Sequence, residues 1–130
     1  MEITRSQEHG RVPVTVLHVR GNLTSEVELQ DAARQAFADG ARNILLDLSA
    51  VPFMASAGLR ALHYIYALLR TDAAEERDDV VRRGLAAGTF TSPHLKLLNP
   101  NRHVREVLRL AGYDMFLEIH TDRTQAVASF

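Results

Sequence analysis

Cysteine and tryptophan are absent from the 130 residues, and lysine occurs once, at Lys96. Without cysteine there can be no disulfide scaffold, thiolate nucleophile, zinc finger or iron–sulfur cluster. A surplus of either charge is also missing: 15 basic residues face 16 acidic ones, for a net charge of -1. No strong field is available to recruit nucleic acid or an anionic membrane, so no direct nucleic-acid binding is expected. No apolar run approaches the roughly 20 residues of a membrane span. The opening residues Met1-Glu2-Ile3-Thr4-Arg5-Ser6 carry no apolar signal core, and a cytoplasmic protein is expected. The six histidines show no H-x-H or H-E-x-x-H spacing. Neither a P-loop nor a G-x-G-x-x-G is present, so neither a metal nor a cofactor is expected.

What remains is an ordinary globular composition, 46% hydrophobic and 24% charged, of a length that suits one domain over residues 1–130. Val12 to Arg20 is rich in β-branched residues and reads as a strand, with Val14, Val16 and His18 on one face and Thr15, Leu17 and Val19 on the other. Pro13 lacks a donor and should open it. Ile3 to Gln7 is a candidate hairpin partner, with His9-Gly10 at the turn. Ser25-Glu26-Val27-Glu28 has the form of a capping box. Leu29, Ala33, Ala36 and Phe37 follow at helical spacing, and Gly40 supplies a left-handed stop.

Asn43 to Leu48 is nearly continuous apolar sequence and suits a strand buried on both faces. A second helix should begin near Ser56 and bury Leu59, Leu62, Ile65, Tyr66 and Leu69. Thr71 to Pro93 differs: charged residues crowd its first half and glycines its second, which predicts a helical extension leading into a solvated loop. His94 to Leu98 reads as a short strand. Val104, Val107, Leu108 and Ala111 mark a third helix closed by Gly112. Met115 to Ile119 reads as a final strand, and Asp122 to Ser129 as a helix capped by Asp122. The order β-β-α-β-α-β-α-β-α predicts an α/β domain with a small, mixed, mostly parallel sheet covered by about four helices.

Chemistry is most plausible where the buried strand turns into the second helix, at Phe53-Met54-Ala55-Ser56-Ala57-Gly58-Leu59. Its small residues allow close approach to the backbone. Ser56 falls at a helix N-terminus, where a phosphate would be stabilised, although a plain serine N-cap accounts for the same residue. Met54-Ala55-Ser56-Ala57-Gly58 also matches the second half of a nucleophile elbow, with Asp114 and His120 following. Met54 stands where that motif needs its first glycine, however. Arg102, Arg105 and Arg109 lie along one side of the third helix, as a solvated face or a contact for an acidic partner.

The stretch Leu46-Asp47-Leu48-Ser49-Ala50-Val51-Pro52-Phe53-Met54-Ala55-Ser56-Ala57-Gly58-Leu59 resembles the core signature of STAS domains. These are the domains of bacterial anti-sigma-factor antagonists and of sulfate-transporter tails. Val16 to Leu23, Leu95 to Pro100, Val104 to Leu108 and Ala111-Gly112-Tyr113 agree with it. The resemblance leaves out Thr71 to Pro93, which becomes a charged insertion. It implies a small sheet covered by helices and a role as a regulatory binding protein rather than an enzyme. The expected partner is an anti-sigma factor that is also a serine kinase, with a switch by phosphorylation at Ser56. The implied partner surface is Asn22, Leu23, Thr24, Ala55, Ser56, Ala57, Gly58 and Leu59.

Three positions depart from the family pattern. Ala55 stands where an aspartate is usual, Ala57 where a second hydroxyl is found, and Thr24 where an aspartate often follows the leucine. These departures favour the alternative, a kinase-independent STAS scaffold module in a signalling or transport assembly. A homodimer is compatible with both readings.

Overall fold

The computed structural model describes residues 1–70 and 91–130, and statements below concern those residues. The N-terminal hairpin forms around its proline. β1 (Glu2–His9) and β2 (Pro13–Arg20) run antiparallel with His9 opposite Pro13, so the residue without a donor opens the strand. β1 is longer than the Ile3–Gln7 expected for it. β3 (Ile44–Ala50), β4 (Leu95–Leu98) and β5 (Glu118–His120) follow β2 in spatial order, each parallel to its neighbour. The crossovers are α1 (Val27–Ala38), α2 (Ser56–Arg70) and α3 (Arg102–Leu110), and α4 (Arg123–Ala128) closes the chain. The result is the mixed α/β order read from the sequence.

Alternation along β2 divides the interior in two. Leu17 and Val19 join Leu46, Leu48 and Leu97 beneath α1, α2 and α3, contributing to the larger core with Leu29, Leu62, Ile65, Val104 and Leu108. Strands that advance across a sheet in one direction with same-handed crossovers leave their helices on one face. The opposite face carries Val14, Val16, Leu45 and Leu98, covered by Ala126 and Val127 of α4 and by Phe130. β3 therefore contributes to both cores, which is why its sequence is apolar without alternation.

Several expectations are corrected. The Ser25–Glu28 capping box does not form. Glu26 holds the N-cap position in helical conformation (φ -89°, ψ -29°) and makes no side-chain cap bond, which moves Ser25 out of the boundary position a capping serine needs. The Glu26 carboxylate turns sideways instead and accepts from Gln30 Nε2 at 3.2 Å and Arg60 Nε at 3.3 Å. Met115 is not in a strand. Tyr113–Met115 form a 3-10 turn after Gly112, which has a φ of 79°, and Met115 is exposed. Tyr113 and Phe116 both pack against the larger core. Residues three apart share a side in such a turn and face opposite sides in a strand, so the aromatic pair selects the turn.

On α3 the buried stripe narrows to Val104 and Leu108, while Val107 is only partly buried and Ala111, past the helix end, is exposed. Leu59 is likewise partly buried. Most of the charged insertion, residues 71–90, lies outside the described residues, but its end does not behave as a solvated loop. Ser92 is buried, its amide donates to the Phe116 carbonyl at 2.8 Å, and its hydroxyl accepts from the Leu95 amide at 3.3 Å.

Candidate functional site

Two loops leave the carboxyl ends of adjacent parallel strands and lie side by side. Leu23, after β2, makes an isolated parallel bridge with Met54, after β3. The Leu23 amide donates to the Phe53 carbonyl at 2.9 Å, and the Ala55 amide donates to the Leu23 carbonyl at 3.0 Å. Just before them, the Gly21 amide donates to the Ala50 carbonyl at 3.0 Å, with Gly21 at a φ of 103°. The bridge stitches Asn22–Thr24 to Phe53–Ala55 and delivers Ser56 at the first turn of α2.

Asn22, Thr24 and Ser56 are exposed, and Ala55 and Ala57 are partly buried. The Ser56 hydroxyl makes no side-chain hydrogen bond among the described residues, so it is not engaged as a structural cap there. Leu23 and Gly58 are corrections to the expected surface, because both are buried. Leu23 is the apolar peg beneath the two loops. A Cβ on Gly58 would stand 2.7 Å from Met54 Cγ and 2.9 Å from Leu23 Cγ, so this glycine admits a neighbouring side chain rather than a partner. Leu59 supports the surface from below, and its carbonyl accepts from the Tyr113 hydroxyl at 3.0 Å.

Asn101, which the sequence reading passed over, and Phe53 with its stacking partner His103 complete the surroundings. Asn101 accepts from the Val104 amide at 2.8 Å as the cap of α3, and its Nδ2 donates to the Val51 and Pro52 carbonyls at 3.3 and 3.2 Å. One side chain thus caps a helix and holds the loop that leads to Ser56. Phe53 is 42% exposed, and its ring stacks on His103 with centroids 5.2 Å apart. Pro100 before Asn101 marks a helix start in the sequence, but nothing there reports that the cap reaches residues 51 and 52.

The elbow reading finds no base at Ser56. His120 Nε2 contacts Glu118 Oε1 at 3.0 Å and the Ser129 hydroxyl at 3.4 Å instead. No cluster of three metal-ligating side chains occurs among the described residues. Arg102 and Arg105 are exposed, and Arg109 is paired with Glu106 at 2.6 Å. Within the described residues no helix is long and apolar enough to cross a membrane.

The family model for the STAS domain matches residues 4–75, over half of the chain, and the chain belongs to that family. Solved structures share its fold across nearly the whole length. An anti-sigma factor antagonist from Mycobacterium paratuberculosis is 21% identical, with a TM-score of 0.68 over 98% of this chain and 93% of its own. The Bacillus cell fate determinant SpoIIAA in its phosphorylated form is 17% identical, with a TM-score of 0.60 over 95% of this chain and 96% of its own. The anti-sigma factor antagonist SpoIIAA in its unphosphorylated form is 18% identical, with a TM-score of 0.58 over 98% and 94%. At these identities the likeness is one of fold. No curated protein sequence matches the chain.

Proposed function

We propose that this protein is an anti-sigma-factor antagonist of bacterial cytoplasm, a regulatory binding protein whose partner is a serine-kinase anti-sigma factor. The observation that carries the reading is the exposed, uncommitted Ser56 hydroxyl at the start of α2, set beside the exposed Asn22 and Thr24 by the Leu23–Met54 bridge. A small-residue surface of this kind lets a partner approach the backbone. A phosphate on Ser56 would gain from the helix N-terminus while placing charge in a desolvated contact, and so would release the partner. That SpoIIAA, of like fold, is known in phosphorylated and unphosphorylated forms supports a switch of this type. Binding rather than turnover is the function assigned to Ser56, since no base stands beside it.

Ala55 and Ala57 favour the second reading, a STAS scaffold that no kinase regulates. Titration with an anti-sigma kinase of the same organism tests both. Ser56→Asp and Phe53→Ala should each weaken the complex about tenfold or more, equivalent to about 1.4 kcal/mol, with thermal stability nearly unchanged. Incubation with kinase and ATP should add one phosphate to the wild type and none to Ser56→Ala. Binding without phosphate transfer would support the scaffold. Unchanged affinity in both variants would move the interface to the arginine face of α3.

A further inference from the structure

The sheet ends on two unlike edges. Among the described residues, β5 offers three residues at one side. β1 offers eight at the other, paired with β2 throughout without a register shift. The directions of the β1 peptide groups follow from its neighbours. The Thr15 amide of β2 donates to the Asn43 carbonyl at 2.9 Å, on the β3 side. Successive residues of a strand aim their amides and carbonyls to alternate sides, so Leu17 and Val19 face β3 as well. Across the hairpin their partners are Gln7, Arg5 and Ile3, and His9 stands opposite Pro13, which has no amide to give. Ile3, Arg5, Gln7 and His9 therefore turn their peptide groups away from β2, toward the open edge. Among the described residues, no backbone group meets them there.

Exposed edges are usually guarded by proline, lysine, a bulge or shortness, because a free row of amides and carbonyls invites another strand. β1 has no proline or lysine, no bulge and no lack of length. Its charged side chains are held to its own subunit. Arg5 pairs with Asp39, just past α1, at 2.8 Å, and Glu8 pairs with Arg123 of α4 at 3.0 Å. Ser6 is drawn to His18 Nε2 at 2.9 Å. The helix layer also permits an added sheet. α1 packs on β1 and β2, and one helix is about as wide as two strands, near 10 Å. A second sheet laid edge to edge would bring its own helix alongside without overlap.

We propose that β1 is a dimerisation edge, and that its occupant is β1 of a second copy of this chain, joined antiparallel about a two-fold axis through Ser6. Such an axis runs normal to the sheet, so it keeps each face continuous and sets opposite one another only residues of the same face. Two registers use most of the strand. With Arg5 on the axis, Arg5 stands opposite Arg5 and Glu2 opposite Glu8, and like charges directly opposite are destabilising. With Ser6 on the axis, Ile3 exchanges both backbone bonds with His9, and Arg5 with Gln7. Thr4 then stands opposite Glu8. This register opposes no like charges and uses every outward peptide group. The strand is thus complementary to itself, and the two sheets become one. Ser56 lies beyond the carboxyl ends of β2 and β3 rather than on this edge, so the dimer leaves it free and does not depend on the reading of it.

Sedimentation equilibrium of the wild type should give twice the chain mass at about 0.1 mM. Because the chain has no cysteine, single-cysteine variants report the register. Ser6 and its copy would form a non-hydrogen-bonded pair with Cα atoms about 4.5 Å apart, within disulfide reach. Under mild oxidation Ser6→Cys should form a covalent dimer at least about tenfold faster than Arg5→Cys or Gln7→Cys, whose copies stand a residue pair apart. Gln7→Pro removes an outward amide and keeps the β1–β2 bonds. It should raise the dimer dissociation constant at least about tenfold, while circular dichroism still reports the folded sheet. A monomer up to about 1 mM would overturn the proposal. So would faster linkage at Arg5→Cys, or a dimer indifferent to Gln7→Pro. A monomeric chain whose partner complex weakens in Gln7→Pro would give the edge to a strand of that partner, and would overturn it equally.

Discussion

A Cβ at position 58 would stand 2.7 Å from Met54 and 2.9 Å from Leu23, two side chains that are themselves buried. Neither can withdraw without loosening the bridge between the two loops. Gly58→Ala should therefore destabilise the fold by about 1–3 kcal/mol, as overpacking does elsewhere, measured by urea unfolding. In the strand beneath, Leu46→Ala should cost about 2–5 kcal/mol, because Leu46 is fully buried in the larger core. Asp47 yields a pH prediction. Burial pulls its carboxyl upward, but the Ser49 hydroxyl and amide together with His18 outweigh that and hold it below the usual value of 3.8. A carboxyl lowered in the folded state stabilises the fold above the unfolded value and loses that contribution as pH falls through the folded one. The stability difference between wild type and Asp47→Asn should accordingly be largest near neutrality and narrow below about pH 4.

Among the elements, the short α4 depends on polar contacts that reach its end from distant strands, and Lys96 makes two of them. Lys96, the one lysine, is 3% exposed on β4. Its Nζ donates to the Ser129 carbonyl at 2.8 Å and hydroxyl at 3.0 Å and lies 3.2 Å from Glu118 Oε2. Six helical residues are too few to hold together alone, so α4 stays in place through this lysine, the Arg123–Glu8 pair, the Arg11 bonds to the Phe130 carbonyl and its apolar contacts. Lys96→Met should cost about 1–3 kcal/mol, seen as faster hydrogen exchange at Ala126 and Val127. Ser92 plays a similar part at the entry to β4. Ser92→Ala should cost about 1 kcal/mol by removing the acceptor for the Leu95 amide. Sequence reading located α4 and its Asp122 cap, which accepts from the Gln125 amide at 2.9 Å, because that cap is a local contact three residues long. It placed Ser92 in a solvated loop because the Phe116 carbonyl that receives its amide is 24 positions away.

Over the whole molecule, the sheet separates two surfaces. The Ser56 surface belongs to the side covered by α1, α2 and α3, while Ser6, His18 and Asp47, whose side chains hydrogen-bond in a row at 2.9 Å each, belong to the side that α4 only half covers. Substitutions on one should leave the other intact, since no side chain is shared between them. Ser56→Asp should weaken partner binding without changing stability, and His18→Ala should lower stability by about 1 kcal/mol, through loss of its hydrogen bonds to Asp47 and Ser6, without changing partner binding. Independent assays on the same pair of variants check this directly, because sites that share no partner residues contribute additively.

Periodicity and punctuation in the sequence by themselves determined the element order, both faces of β2, the apolar character of β3 and the start of α2 at Ser56. Each depends on neighbours within one or two turns, where local sterics and hydrogen bonding act. The adjacency of Asn22–Thr24 and Ser56 followed from parallel order, since loops that leave the same ends of neighbouring strands must meet. Tertiary structure alone decided that Leu23 and Gly58 lie beneath that surface, that Asn101 grips the Val51 and Pro52 carbonyls, and that Ser6, His18 and Asp47 touch. The last of these depends on strand register, and a shift of one residue would turn each side chain to the other face. Register is set by the summed packing of two cores and has no local signature.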